Sequence, residues 1–275
     1  MPVITICGQG PSAERAHVAV NLAAEAALGG RTTLLIDLDP QASATRQLFR
    51  DPLDQSPNLE SLVLRGGPLT EHTRTLRLYV RSWVVFTRSW PLHVIPGARR
   101  LEGKPRVDAA TQLRLLLVAA QKAFDVVVAD APGLADALGR AAAVDSDRLV
   151  PVIRAGPAAD HEIESYARQS LAQGVRESAI LHLLVGTEIN RHLGALSRES
   201  VTRLVERARR ESRPIGRVLQ TEIRHDVALA ATRSLDRTRA DWVRFAAEVL
   251  ADCETRLPQR PTKQPSQDAQ RCDDD

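Results

Sequence analysis

A small-residue loop, Gly8-Gln9-Gly10-Pro11-Ser12, directly follows a β-branched run and directly precedes a helical pattern. That order suits anion binding, because a helix N-terminus offers unpaired backbone N–H groups and the positive end of the helix dipole. Arg15 adds a cation just inside the helix. Carboxylates close two apolar runs: Asp37 and Asp39 follow Leu34-Leu35-Ile36, and Asp130 follows Val126-Val127-Val128-Ala129. An acid at the C-terminal edge of a strand faces the crevice where an α/β sheet takes its ligands. Three such acids suit a hard cation such as Mg²⁺, weakly unless a triphosphate shares it. Other chemistry is not discernible. The seven histidines show no paired ligand spacing, and nothing brings together a Ser/His/Asp or Cys/His set. His17, on the first helix, reads as a packing residue within reach of the loop, and His225 sits among arginines.

The elements that must position these groups follow from periodicity. Val3, Ile4, Ile6 and Cys7 give a first strand. Over residues 14–28, Val18, Leu22 and Ala26 recur at helical spacing until Gly29-Gly30 stops them. Residues 32–36 read as a fully buried strand, being apolar without alternation. Further strands are expected at 124–130, 148–153, 181–186 and 216–223. A helix is expected to begin within 40–45 and to end near Phe49, and others at 58–64, 108–122 (Leu113, Leu116 and Leu117 inward), 158–172, 197–213 and 236–250. Residues 73–90 alternate arginine with Leu, Val and Phe and carry Trp83 and Trp90. They read as a strand-like covering hairpin or as an insertion bearing a partner-binding patch. The alternation of strands and helices specifies an α/β fold with a mostly parallel sheet covered by helices on both faces.

Length and charge agree with one domain. A chain of 275 residues, 43% hydrophobic, accommodates a domain over residues 1–250 and a polar tail over 251–275. From Glu254 the tail is rich in Pro, Gln and Asp, a composition expected to be disordered. Cys7, Cys253 and Cys272 are odd in number and lack metal spacing, which suits a reducing cytoplasm. No run approaches the roughly 18 apolar residues of a membrane span, and no signal peptide is discernible. The net charge of +3 permits contact with nucleic acid without requiring it.

Three segments carry a resemblance. Val20-Asn21-Leu22-Ala23, Leu34-Leu35-Ile36-Asp37-Leu38-Asp39-Pro40-Gln41 and Phe124-Asp125-Val126-Val127-Val128-Ala129-Asp130-Ala131-Pro132-Gly133 are similar to the ParA/MinD family of deviant Walker-type P-loop ATPases. Members of that family position DNA, plasmids or protein cargo. The likeness spans residues 3–250 and implies a P-loop NTPase-like fold, with Asp37 catalytic at the attacking water and Asp39 and Asp130 at the metal. It implies a phosphate loop through Gly10, Ser12 and Arg15.

The loop departs from that pattern. With the Val20-Asn21-Leu22-Ala23 segment aligned and no gap, the family's first lysine falls on Gly10 and its glycines on Pro11, Ser12 and Glu14. The phosphate lysine falls on Arg15, and the metal-binding Thr/Ser on Ala16. Pro11 removes an N–H and fixes φ. Glu14 sets a carboxylate where phosphates would lie, and like charges about 4 Å apart repel by roughly 4 kcal/mol at an effective dielectric near 20. Arg15 is a planar fork where a compact ammonium is expected, and Ala16 brings no oxygen. No register shift supplies a lysine, because the three in the chain are Lys104, Lys122 and Lys263.

The expectation is a cytoplasmic ParA-like protein acting in partition or positioning of DNA or other cargo, non-catalytic and without cofactor. If the site survives, the alternative is an ATPase that uses ATP and Mg²⁺ with Arg15 as the phosphate contact. The resemblance implies as partners a ParB-like adaptor or an active ParA paralogue, and any homodimer is expected to be independent of ATP. For non-specific DNA the candidates are Arg203, Arg207, Arg210, Arg224 and Arg237, since phosphate contact needs only reachable positive charge. A solvated helical face with Glu199, Glu206 and Glu211 as partners is the other reading of the same arginines. A MinD-like membrane role is not expected, because the C-terminal end carries no basic amphipathic helix.

Overall fold

Eight short strands form one sheet in the computed structural model, which describes residues 1–49, 58, 59, 62, 68–79, 89–97, 109–186, 191–223 and 239–256. In chain order they are β1 (Val3–Cys7), β2 (Thr33–Asp37), β3 (Arg74–Tyr79), β4 (Ser89–Ile95), β5 (Val126–Asp130), β6 (Arg148–Arg154), β7 (Leu181–Val185) and β8 (Arg217–Ile223). Their spatial order is β3-β4-β2-β5-β1-β6-β7-β8. Every neighbouring pair is parallel except β3 with β4, which is antiparallel. The 73–90 stretch thus contributes an edge strand and the start of β4. Its Trp90 is half-buried, while Trp83 lies outside the described residues.

Parallel strands need crossovers, and helices supply them. They are α1 (Ser12–Leu28), α2 (Ser43–Leu48), α3 (Leu69–His72), α4 (Ala109–Ala123), α5 (Ala137–Val144), α6 (Ala159–Ala172), α7 (Arg191–Arg210) and α8 (Arg239–Arg256), with a 3₁₀ turn at Glu177–Ala179. Side-chain alternation sorts them into two layers. Ile4, Ile6, Val126, Val128, Val150 and Leu183 pack with α1 and α8. On the opposite face Val3, Val127 and Ala129 pack with α4 and α5, and Ile153 and Leu184 pack with α6 and α7. Leu113, Leu116 and Leu117 are buried as their spacing requires.

Several boundaries differ from expectation. Helix α1 opens at Ser12, two residues early, because the Pro11 carbonyl accepts the N–H groups of Glu14 and Arg15. Helix α7 already includes Arg191, which the sequence placed in a preceding loop. Helix α8 continues past Leu250 to Arg256, since Asp252 and Cys253 are buried one turn further on. The helix expected at 58–64 lies mostly outside the described residues, as do His225 and residues 257–275. No described helix is long and apolar enough to cross a membrane.

Two buried polar contacts fasten the sheet's far half. Asp252 of α8 takes the guanidinium of Arg148 at the start of β6, and Arg217 of β8 at 3.0 Å. In β7 the His182 Nε2 lies 2.8 Å from the Ile215 carbonyl, with the ring fully buried. Asp252→Ala would strand the Arg148 charge, at a cost of about 3–5 kcal/mol in chemical denaturation; a loss below about 1 kcal/mol would refute this account.

Burial pushes His182 down to about 4, against the weaker opposing effect of its Ile215 bond. A base with a lowered folded-state pKa stabilises fully above its unfolded value near 6.5, and that contribution disappears as pH falls through about 4. The stability difference between wild type and His182→Gln should therefore shrink by about 3 kcal/mol between pH 7 and pH 4. A pH-independent difference would remove His182 as the cause.

Candidate functional site

Strand register builds the site. Asp130 lies beside Asp37 across β5–β2 and beside Ile6 across β5–β1. Both acids therefore emerge at the sheet's C-terminal edge, where β1 hands over to the Gly8–Pro11 loop. Gly8 is required there: a Cβ would stand 2.9 Å from the Val152 carbonyl of β6. Gln9, Gly10 and Pro11 are exposed, whereas Arg15 is 6% exposed and points into the protein.

Arg15 is the centre of the arrangement. Its Nη2 donates to Asp39 Oδ2 at 3.1 Å and its Nε to Asp130 Oδ1 at 3.3 Å. The residue expected to contact a phosphate thus contacts the two acids expected at the metal. The side chain one position earlier turns toward β6 instead. Glu14 pairs with Arg154 at the end of β6, and its other oxygen lies 3.6 Å from where a Gly10 Cβ would be.

The three acids have different surroundings. Asp37 Oδ2 accepts the Thr45 N–H at 2.8 Å and the Thr45 hydroxyl at 2.7 Å, and Oδ1 accepts the Asp39 N–H at 3.1 Å. The Gly97 N–H in turn donates to Thr45 Oγ1 at 2.8 Å, and a Cβ on Gly97 would stand 2.9 Å from Asp37 Cγ. The carboxylate expected at an attacking water is therefore committed to holding α2 and the Gly97 turn. Burial pushes Asp37 up to about 6, although the Thr45 bonds pull it down.

Asp39 Oδ1 accepts the Gln41 N–H at 3.0 Å, leaving Oδ2 to Arg15. Asp130 is fully buried, and its Oδ2 has no partner. Burial, then the Asp37 charge, hold Asp130 well above the usual carboxylate range against the pull of Arg15. The Cys7 thiol, just ahead of the loop, is pushed up to about 12 by burial and is no nucleophile at neutral pH.

Helix α2 closes on the loop. Ser43 Oγ donates to Ser12 Oγ at 3.0 Å, and Gln47 Nε2 donates to the Ala13 carbonyl at 3.1 Å. Thr45, Gly97 and Arg154 were not picked out from the sequence. Arg154 did leave a trace, as the charge that ends the apolar run of β6. His17 packs edge-on against Trp242 of α8 at 5.4 Å. Among the described residues no group of three or more His, Cys, Asp or Glu is arranged to hold a metal.

The candidate DNA contacts divide. Arg203, Arg207 and Arg210 lie along one exposed stripe of α7, at i, i+4 and i+7. Arg203 bonds Glu199 at 3.2 Å, while Arg207 and Arg213 both bond Glu164 at 2.9 Å. Burial would raise Glu164, but the hydrogen bonds from Arg207 and Arg213 prevail and hold it below its usual range. Arg224 and Arg237 lie outside the described residues.

Comparison with known proteins agrees with this fold. No curated protein matches the sequence. Cobyrinic acid a,c-diamide synthase from Mycobacterium smegmatis superposes with a TM-score of 0.68 at 17% identity, covering 92% of this chain and 95% of that one. It has also been solved with an ATP analogue and magnesium. The MinC:MinD cell division complex of Aquifex aeolicus gives 0.68 at 12% identity, with 96% and 99% covered. The pNOB8 ParA bound to nonspecific DNA gives 0.63 at 15%, with 93% and 99% covered. A family model described as an AAA domain matches residues 1–173. The chain belongs to that AAA-domain family, and its eight-stranded sheet has the ParA/MinD-type P-loop fold.

Proposed function

We propose that this protein is a ParA-like factor for partition or positioning of DNA or other cargo, acting in the cytoplasm as a binding subunit without ATP turnover. The observation that carries the reading is the Arg15 guanidinium on Asp39 and Asp130. With those oxygens occupied and Ala16 offering no hydroxyl, Mg²⁺ finds no donor set that fits. For Arg15 to hold a phosphate it would first have to leave two buried carboxylates. Breaking such a pair costs about 3–5 kcal/mol, which lowers affinity roughly 100- to 4,000-fold. Glu14, tied to Arg154 beside Gly10, opposes an incoming anion further.

Cargo contact falls to the outer surface. The exposed stripe of Arg203, Arg207 and Arg210 supports non-specific phosphate binding, as in the ParA solved on nonspecific DNA. Arg224 and Arg237 extend the same proposal. A ParB-like adaptor or an active ParA is the proposed protein partner, and any homodimer forms without ATP. An ATPase using Arg15 as its phosphate contact would need the opposite orientation of that side chain.

Titration calorimetry with ATP and Mg²⁺ should give no submillimolar binding. Retention of duplex DNA should weaken steeply with salt and fall about tenfold or more in the triple variant Arg203→Glu, Arg207→Glu, Arg210→Glu. Submillimolar MgATP binding that disappears in Arg15→Ala would establish the enzyme instead.

A further inference from the structure

We infer that Arg15 is the resident cation of this site, a guanidinium that occupies the place of a divalent metal and covers a latent metal site formed by Asp39 and Asp130. The inference rests on the reading that the site operates without nucleotide, and it adds what replaces the cofactor.

An oxygen inventory carries the argument. Asp37 spends both oxygens on Thr45 and on the Asp39 N–H, and Asp39 spends Oδ1 on the Gln41 N–H. Three carboxylate oxygens remain: Asp39 Oδ2, Asp130 Oδ1 and Asp130 Oδ2. Arg15 meets the first two and leaves the third without a partner inside a fully buried side chain. One guanidinium therefore undersupplies this set of acceptors. A hard divalent cation is bound by one or two carboxylates with water completing its shell, so these two acids are sufficient ligands once vacated. Cation and guanidinium compete for the same oxygens, and the intramolecular one is always present.

The three tied segments are distant in sequence. Arg15 belongs to the first turn of α1, Asp39 to the turn after β2 and Asp130 to the end of β5. Ser43 and Gln47 carry the connection on to α2. Arg15 thus fixes the loop edge of the sheet with no metal required, which a side chain at the surface would not do.

The test uses the full chain with Mn²⁺ as probe, read by loss of the free-ion electron paramagnetic resonance signal and by melting temperature. Wild type should bind Mn²⁺ weakly and melt at the same temperature with or without it. Arg15→Ala should melt roughly 6–20 °C lower, regain most of that loss with Mn²⁺, and bind Mn²⁺ about tenfold tighter or more. Adding Asp39→Asn should abolish both gains. Arg15→Gln, close in length and uncharged, should behave like Arg15→Ala. A variant that folds only with Mn²⁺ present shows the same rescue.

Equal Mn²⁺ affinity in wild type and Arg15→Ala would overturn the inference, as would variants that stay unfolded with or without the metal. The MgATP titration of wild type reports separately on the function proposed above, so the two readings fail independently.

Discussion

A buried arginine must be neutralised where it stands, and that requirement shapes the loop edge of this sheet. An unpaired guanidinium in a site 6% exposed would cost several kcal/mol of lost solvation. One of its neutralisers ends β5 and the other follows β2, so the register of those strands is part of the interaction. Sliding β5 against β2 by one residue would turn Asp130 to the other face of the sheet and leave Arg15 with Asp39 alone. Apolar packing on both faces holds the register, and the ion triad holds the loops that follow it.

The same dependence runs outward through Asp37. A fully buried carboxylate would be expected to lose its charge, yet three hydrogen bonds oppose that tendency. Those bonds attach α2 to the end of β2, and the Thr45 hydroxyl relays the attachment to Gly97. Gly97 has to be glycine because Asp37 fills the space a methyl would take. One acid and one threonine therefore set where α2 lies, and α2 in turn covers the first turn of α1.

The sequence disclosed the repeating parts of this fold more readily than the particular ones. Apolar strands and the spacing of Val18, Leu22 and Ala26 are local patterns, and the parallel α/β architecture followed from their alternation. The end of α8, expected at 250, was less visible, because Asp252 is buried only once Arg148 and Arg217 are brought against it across the sheet. The substitutions at Pro11, Glu14, Arg15 and Ala16 were plain, but the direction of Arg15 was not. A side chain on the first turn of α1 can face the loop or the sheet, and the choice depends on acids 24 and 115 residues away. Glu14, its neighbour, faces the other way because Arg154 ends β6 beside it.

Arginines at the two ends of the exposure range do opposite things here. Arg203 pairs with Glu199 in solvent, where such a pair is worth roughly 0–1 kcal/mol, and Arg207, itself exposed, shares the more buried Glu164 with Arg213. Exchanging a glutamate for a DNA phosphate on α7 costs little, and releasing counterions from the nucleic acid favours it. At Arg15 the same exchange would need two buried carboxylates to give up their cation in a medium where charges interact far more strongly. Arginine is therefore the exchangeable contact on the outer stripe and the fixed one in the loop. That difference in burial, with side-chain chemistry held constant, is the physical ground for the proposal that α7 takes phosphate while α1 holds a structural charge.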